Sequence, residues 1–339
     1  MFHDIKQRLG LERQFTTEQM LAHGRNVLTV EANALIQLAD ELDDAFARAI
    51  ELLIGTTGRV IVSGMGKSGH IARKMAATFS STGLPAFFVH PGEAAHGDLG
   101  MMAPGDVLVA LSNSGATPEL RPIMSHARLL DCPVIGITSQ ASSPMAQTAT
   151  VCLTLPRVRE ACPANISPTT STTLMLALGD ALAVTVMHAH GISRAQLELL
   201  HPGGTIGSRL LPVHRIMHAG AQLPLVDAAA PMQDVLVTMT EKSFGIAGVT
   251  GPDGRLIGTI TDGDLRRNID GLLARTAHDV MTVDPKTIPD GTYVEDAFAM
   301  MTVNKITALF VMDAQLPDRP VGLIHIHDLA RLGMTTPGQ

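Results

Sequence analysis

The sequence predicts an α/β protein: a doubly wound, five-stranded parallel sheet followed by a smaller unit built twice. Three observations carry this reading. Five short apolar runs alternate with helical stretches up to about residue 155. Two of those runs end in Gly- and Ser-rich loops that open helices. From about residue 211 the chain repeats itself at an interval of 64 residues. Alternating β and α signals argue for parallel strands with crossover helices. An interval kept at several positions argues for duplication.

Taken in order, Thr16 and Gln19 are spaced as a capping box at a helix start. Leu35, Leu38, Leu42, Phe46, Ala49 and Leu53 then recur at helical spacing and predict one long amphipathic helix, or two. The strands are expected at Val60–Ser63, Ala86–His90, Val107–Leu111, Val134–Thr138 and Val151–Leu155. Apolar runs this short suit strands buried on both faces. A long loop, Arg157 to Thr173, ends in a hydroxyl-rich helix start; loops of that length in a compact domain are often functional. The apolar stretch Thr172 to Ala189 carries Asp180 in its middle and reads as a buried helix, too short and broken for a membrane span.

In the repeat, His214-Arg215-Ile216-Met217 returns as His278-Asp279-Val280-Met281. Ile257-Gly258 and Asp264-Leu265 return as Val321-Gly322 and Asp328-Leu329. Each copy offers an apolar helix (Met232–Thr240; Val294–Thr302), a strand pair and a further helix start. The expected domains are residues 1–210, with N-terminal helices, then 211–273 and 274–339, with Leu210 to Met217 as linker.

Composition narrows the function. A chain of 339 residues implies about two domains, and 45% hydrophobic content supports a sizeable core. A net charge of −7 leaves no footprint for nucleic acid. Three unpatterned cysteines suit a reducing compartment. Met1 to Gly10 carries Asp4, Lys6 and Arg8 and no signal-peptide core, so a cytoplasmic protein with no membrane partner is expected.

The chemistry concentrates between Val60 and Thr117. Gly64-Met65-Gly66-Lys67-Ser68-Gly69 and Ser112-Asn113-Ser114-Gly115-Ala116-Thr117 each follow a strand and open a helix. Such loops present backbone N–H groups and hydroxyls to a phosphate, at the strand ends where open α/β sheets bind ligands. Gly64, Gly66 and Gly69 also satisfy the spacing of a dinucleotide fingerprint. Against that reading, the second strand closes with His90-Pro91-Gly92-Glu93 and has no acidic residue at its end. His90, His96 and Asp98 have a spacing that allows a metal, although such histidines more often orient a loop.

The second loop is similar to the Ser-x-Ser-Gly-x-Thr phosphosugar loop of the SIS (sugar isomerase) family, and the resemblance runs over roughly residues 25–210. It implies a flavodoxin-like fold in which Ser112, Ser114 and Thr117 hold a phosphate with Ser68. It also implies further substrate contacts at Thr82, Gly83, His96 and Asn113. The repeat resembles a tandem CBS-domain pair, with Gly258 to Asp264 matching that family's Gly-h-x-Thr-x-x-Asp ending. This implies an effector site at Thr261, Asp264 and Asp328 for a nucleotide or sugar nucleotide. The second copy departs from the pattern, with His325 in place of Thr.

The combination, with Glu160-Ala161-Cys162-Pro163 and His201-Pro202-Gly203-Gly204, resembles the arabinose-5-phosphate isomerase family. That resemblance implies an aldose–ketose isomerase acting on a sugar phosphate, D-ribulose 5-phosphate to D-arabinose 5-phosphate, for lipopolysaccharide precursor supply. It implies a catalytic set of Lys67, His96, Glu119, Glu160 and His201 and no required cofactor. It also implies a homotetramer, and makes any zinc at His90 inhibitory. His201 follows the long helix, outside the five-strand core, and is expected to complete a neighbouring subunit's site. Enediol chemistry needs a general base, a proton relay and a group that stabilises the enediolate, and these residue types supply all three. The rival class is a non-catalytic sugar-phosphate sensor.

Overall fold

The computed structural model describes residues 15–334. The expectation for Met1 to Gly10 lies outside them. Two compact units divide the chain, one up to Ser193 and one from Arg194 onward.

The first unit opens with α1 (Thr17–Asp40) and α2 (Asp44–Ile54), so the periodic stretch is two helices. Thr16 and Gln19 form the expected capping box. The alternating core comes next: β1 (Val60–Gly64), α3 (Gly66–Ser81), β2 (Ala86–Phe88), the short α4 (Pro91–Ala94) and β3 (Val107–Leu111). It continues through α5 (Leu120–Leu129), β4 (Val134–Thr138), α6 (Pro144–Thr148), β5 (Val151–Thr154) and α7 (Thr170–Ala189). All five strands are parallel, in the order β2-β1-β3-β4-β5. β2 is shorter than expected because His90 leaves the strand to cap α4.

The pleat sorts each apolar strand into two cores. Val60 and Val62 face one core with Val107, Val109 and residues of α1, α2, α3 and α7. Ile61 faces the other with Leu108, Ala110, Leu120 and Ile123. This burial on both faces is why the strands read as unbroken apolar runs. Helix α7 has 20 residues and is long and apolar enough, by length and composition, to cross a membrane, which corrects the expectation that it is too short. In the fold, Leu174, Met175, Leu178 and Leu182 are core residues, and Asp180 pairs with Lys74 on α3.

The second unit begins with α8 (Arg194–Leu200) and α9 (Gly204–Leu210). The first of these is tied into it through the Arg194–Asp296 and Arg215–Glu198 ion pairs at 2.8 and 2.6 Å. β6 (His218–Ala219), β7 (Leu225–Asp227), α10 (Met232–Lys242), β8 (Ile246–Thr250), β9 (Leu256–Thr261) and α11 (Asp262–Arg267) make the first copy. α12 (Ala277–Val280), β10 (Thr282–Val283), β11 (Thr287–Pro289), α13 (Val294–Asn304), β12 (Ala308–Met312), β13 (Pro320–His325) and α14 (Ile326–Arg331) make the second. The sheets run β10-β9-β8-β7 and β11-β12-β13-β6, so each copy lends its first short strand to the other's sheet. That exchange explains what the repeat retains. Met281 packs on Gly258, where an added Cβ would stand 2.6 Å from its sulfur, and Met217 packs on Gly322 in the same way.

Candidate active site

β1 and β3 are neighbours, yet their crossovers run to opposite sides of the sheet. The crevice of a doubly wound sheet opens at this switch point. Both loops of interest lie there, because Val60 to Gly64 pair in register with Val107 to Leu111.

The first loop starts α3. An added Cβ on Gly69 would stand 2.6 Å from the Gly64 carbonyl oxygen, so the Gly64/Gly69 spacing serves a close strand–helix crossing. The N-cap residue, Met65, makes no side-chain cap, and the first N–H groups of α3 are left for a ligand. Lys67 and Ser68 sit in that first turn. Lys67 is exposed and carries no ion pair or side-chain hydrogen bond among the described residues.

The second loop starts α5, whose N-cap residue Glu119 also makes no side-chain cap. Three hydroxyls converge here. Ser112 Oγ lies 2.7 Å from Thr117 Oγ1 and 3.5 Å from Ser114 Oγ, and Ser112 Oγ accepts the Gly115 N–H at 3.0 Å. Ser112 is buried, whereas Ser114 is exposed. The Asn113 carbonyl accepts Thr138 Oγ1–H at 3.1 Å and Ser139 Oγ–H at 2.8 Å, which pins the loop to β4. Gly115 is at φ +61°, and an added Cβ would stand 2.1 Å from Ser143 Oγ. Other helix starts of this unit are closed by side chains: Thr16 caps α1, Asp43 caps α2, His90 caps α4 and Ser143 caps α6. At α5 the Leu120 and Arg121 N–H groups already donate to the Thr117 and Pro118 carbonyls at 3.3 and 3.1 Å, so the open start is that of α3, which with Lys67 and the neighbouring hydroxyls offers the donors an anion needs. Glu119 is exposed and has no side-chain partner among the described residues.

Glu160 is engaged differently. Its Oε2 accepts the Thr169 N–H at 2.8 Å, the Ser171 N–H at 3.2 Å and Thr169 Oγ1–H at 3.2 Å, and its Oε1 accepts Ser171 Oγ–H. It caps α7 from nine residues away. Burial alone would push its carboxyl up, but the bonds from Ser171 and Thr169 outweigh that and hold it below the ordinary glutamate range. The loop is tightened further by Glu160 N–H donating to Asn165 Oδ1 at 2.7 Å, and by Ser167 and Ile166 N–H donating to Cys162 Sγ at 3.1 Å each. The bonds from Ser167 and Ile166 hold the Cys162 thiol below its usual range. Sequence reasoning marked the hydroxyl run but not Thr169 and Ser171 as the partners of Glu160.

His96 is exposed in the turn after α4. Thr82 and Gly83 close the far end of α3, where Thr82 Oγ1–H donates to the Thr78 carbonyl at 2.9 Å. A helix rises about 1.5 Å per residue, so they stand roughly 24 Å from the loops, and this chain does not bring them to the site. His90 Nδ1 accepts the Gly92 N–H at 3.2 Å. No three His, Cys, Asp or Glu side chains gather to hold a metal among the described residues, so His90, His96 and Asp98 form no ligand set here. His201 lies in the second unit, its Nδ1 2.9 Å from the Leu197 carbonyl, to which only a protonated Nδ1 donates.

That unit holds a cleft of about 760 Å³, lined by both copies of the repeat. In the first copy, Asp264 Oδ2 accepts the Thr261 N–H and Oγ1–H at 2.8 and 2.5 Å, while Oδ1 accepts from Arg267 at 2.6 Å and Thr282 at 2.9 Å. Burial would raise its carboxyl, but these donors hold it below the usual aspartate range. In the second copy, Asp328 takes a bond from His218 Nε2 at 2.9 Å, and His325 fills the Thr position. Desolvation and the neighbouring His327 push the His325 imidazole pKa down, against the pull of Asp328. Arg266, Arg267, Lys286 and Lys305 line the cleft together with Asp262, Asp264 and Asp284, so its lining is of mixed charge.

A five-stranded flavodoxin-like sheet with an anion cradle at its switch point defines a SIS domain, here followed by a CBS pair. Residues 53–185 match the SIS domain family, and residues 213–271 and 277–334 match the CBS domain family. The chain is 44% identical over 314 residues to the arabinose 5-phosphate isomerase KdsD of Pseudomonas aeruginosa, covering 91% of this chain and 96% of that one. Its identity to the Escherichia coli K12 protein of the same name is 43% over 315 residues, covering 92% and 95%. The chain belongs to the arabinose 5-phosphate isomerase family. Among solved structures, E. coli CFT073 c3406 in complex with arabinose 5-phosphate is 36% identical, covering 56% of this chain and all of that one, with a TM-score of 0.54.

Proposed function

We propose that the protein interconverts D-ribulose 5-phosphate and D-arabinose 5-phosphate through an enediol. The carrying observation is the open start of α3 with Lys67, set beside the hydroxyls of Ser112, Ser114 and Thr117. This arrangement suits a phosphate dianion, and the names of the relatives supply the sugar. Ser68 and Asn113 complete the grip on the substrate.

Isomerisation moves one proton between C1 and C2 and shifts the carbonyl, with no net oxidation, so side chains suffice and no cofactor is required. Glu160 and His201 share ring opening and proton transfer, and Lys67 meets the enediolate oxygen. Glu119 and His96 flank the reacting end. Glu160, held ionised by its donors, starts in the state a base needs. His201 serves the site of a neighbouring copy within a homotetramer. Mixing inactive Lys67 and His201 variants then restores part of the activity; no recovery after verified subunit exchange places His201 in its own chain's site.

The CBS cleft takes a nucleotide or sugar nucleotide on Thr261 and Asp264, with Asp328 as the weaker second position. Arg266, Lys286 and Lys305 in its lining, none of them in an ion pair among the described residues, support this. The protein works in the cytoplasm and feeds the 3-deoxy-D-manno-octulosonate branch of lipopolysaccharide synthesis. The deciding experiment is proton NMR in deuterium oxide on a panel of five- and six-carbon sugar phosphates. Turnover of ribulose 5-phosphate to arabinose 5-phosphate with deuterium entering at C2 is expected. Binding without turnover of any sugar phosphate would mark a sensor instead.

A further inference from the structure

A second cavity, of about 280 Å³, lies behind the phosphate loop, between α5 and α6. Its floor is apolar: Leu120, Met124 and Met145 line it and are buried. Its rim carries Arg121 and Arg128. Seven residues is two helical turns, so both guanidiniums leave the same face of α5, about 10 Å apart along the axis. Neither has an ion pair or a side-chain hydrogen bond among the described residues. Arg59, in contrast, is paired with Asp106, and Arg73 lies over the Phe88 ring. A guanidinium fork matches phosphate and carboxylate groups. A floor of one leucine and two methionines favours an apolar body beside that charge. The size, about 280 Å³, falls just below the usual range for ligand pockets, about 300–1,000 Å³, and suits a small molecule.

The cavity also shares a wall with the cradle. Thr117 lines it, and Thr117 Oγ1 is the group 2.7 Å from Ser112 Oγ. Met145, in the floor, donates its N–H to the Gly115 carbonyl at 3.0 Å. The phosphate loop therefore rests on the cavity's lining at two points.

We propose that the cavity between α5 and α6 is a second anion site, for a small phosphorylated or carboxylated metabolite with an apolar body. Through Thr117 and Met145 its occupancy is coupled to phosphate binding in the cradle. The coupling rests on the isomerase reading above; the binding does not.

Calorimetry of the full chain with phenyl phosphate, an apolar ring bearing a dianion, tests the site. Two binding events are expected, one in the cradle and one in the cavity. Ser112→Ala/Ser114→Ala weakens one. Arg121→Gln/Arg128→Gln weakens the other at least about tenfold, as loss of charge-assisted bonds requires, with circular dichroism and basal turnover unchanged. Arg121→Lys/Arg128→Lys keeps the charge and restores part of the affinity. A single event that disappears with the serine variant and ignores the arginine variant overturns the proposal, and so does no binding at millimolar ligand. In kinetics, phenyl phosphate shifts the sugar-phosphate KM of the wild type beyond simple competition, whereas the arginine variant shows simple competition alone. If the chain turns over no sugar phosphate, calorimetry alone still decides the site.

Discussion

The loops at 112–119 and 157–171 are both hydroxyl-rich turns that open helices, and they use their donors in opposite ways. In the first, Ser112, Ser114 and Thr117 bond to one another and to the loop's own Gly115 and Ala116 N–H groups, and α5 is left without a side-chain cap. In the second, Thr169 and Ser171 are taken up by Glu160, which closes α7. Glu119 stands without a side-chain partner among the described residues, and Glu160 accepts four bonds. A serine-threonine run is therefore not in itself a ligand site. What decides is whether a carboxylate of the same chain has already satisfied the helix start.

The sharpest way to break this contrast is to neutralise each carboxylate. Glu119→Gln should lower turnover about 10²–10⁴-fold, the usual contribution of an acid/base group, with the melting temperature unchanged. Glu160→Gln should lower turnover by a similar order and also destabilise the fold, by about 1–3 kcal/mol. If Glu160→Gln costs stability but leaves turnover intact, Glu160 is only a cap. If Glu119→Gln leaves turnover intact, the free carboxylate is idle.

The serines carry the next largest effect. Ser112→Ala/Ser114→Ala should raise KM roughly ten- to a hundredfold, since a bond to a charged group is worth about 1.5–3 kcal/mol. Stability should hardly change. Ser171→Ala should do the reverse, with little change in KM and a loss of about 1 kcal/mol in urea unfolding, as for other lost caps. Equal KM effects for the two loops would erase the distinction.

The smallest effect is in pH dependence. Glu160's folded-state pKa is depressed, so its contribution to stability is present above the ordinary glutamate pKa. That contribution is lost as pH falls through the folded value. Acid unfolding of Glu160→Gln should therefore be flatter below about pH 4.3, the ordinary value, and parallel wild type at neutral pH. Identical acid limbs would mean that the bonds from Thr169 and Ser171 do not hold the carboxylate ionised.

The repeat shows how much residue pattern alone can settle. The retained pairs at 64 residues include those at the strand exchange, Met217 and Met281 on Gly322 and Gly258, where a larger residue has no room. The helices between them lie 62 residues apart, Met232–Lys242 against Val294–Asn304. Those positions tolerate any apolar residue at the right phase, so their kinship is weaker in sequence.

By itself the sequence determined the α/β class, the five strands within a residue or two, the duplicated CBS unit and the two Gly- and Ser-rich loops that follow β1 and β3. Each of these rests on local order: apolar runs, glycine spacing and a repeat interval. It also placed Lys67, Ser112, Ser114, Thr117 and Glu119 just past the carboxyl ends of β1 and β3, because motif and helix start are contiguous in the chain. Only the tertiary structure decided which polar groups are free. Glu160 meets Thr169 and Ser171 across a folded loop, Asp264 meets Thr282 across the strand exchange, and α3 carries Thr82 and Gly83 to the far end from the loops they were grouped with. Hydrogen bonds saturate a group by proximity in space, and residue type along the chain does not report that proximity.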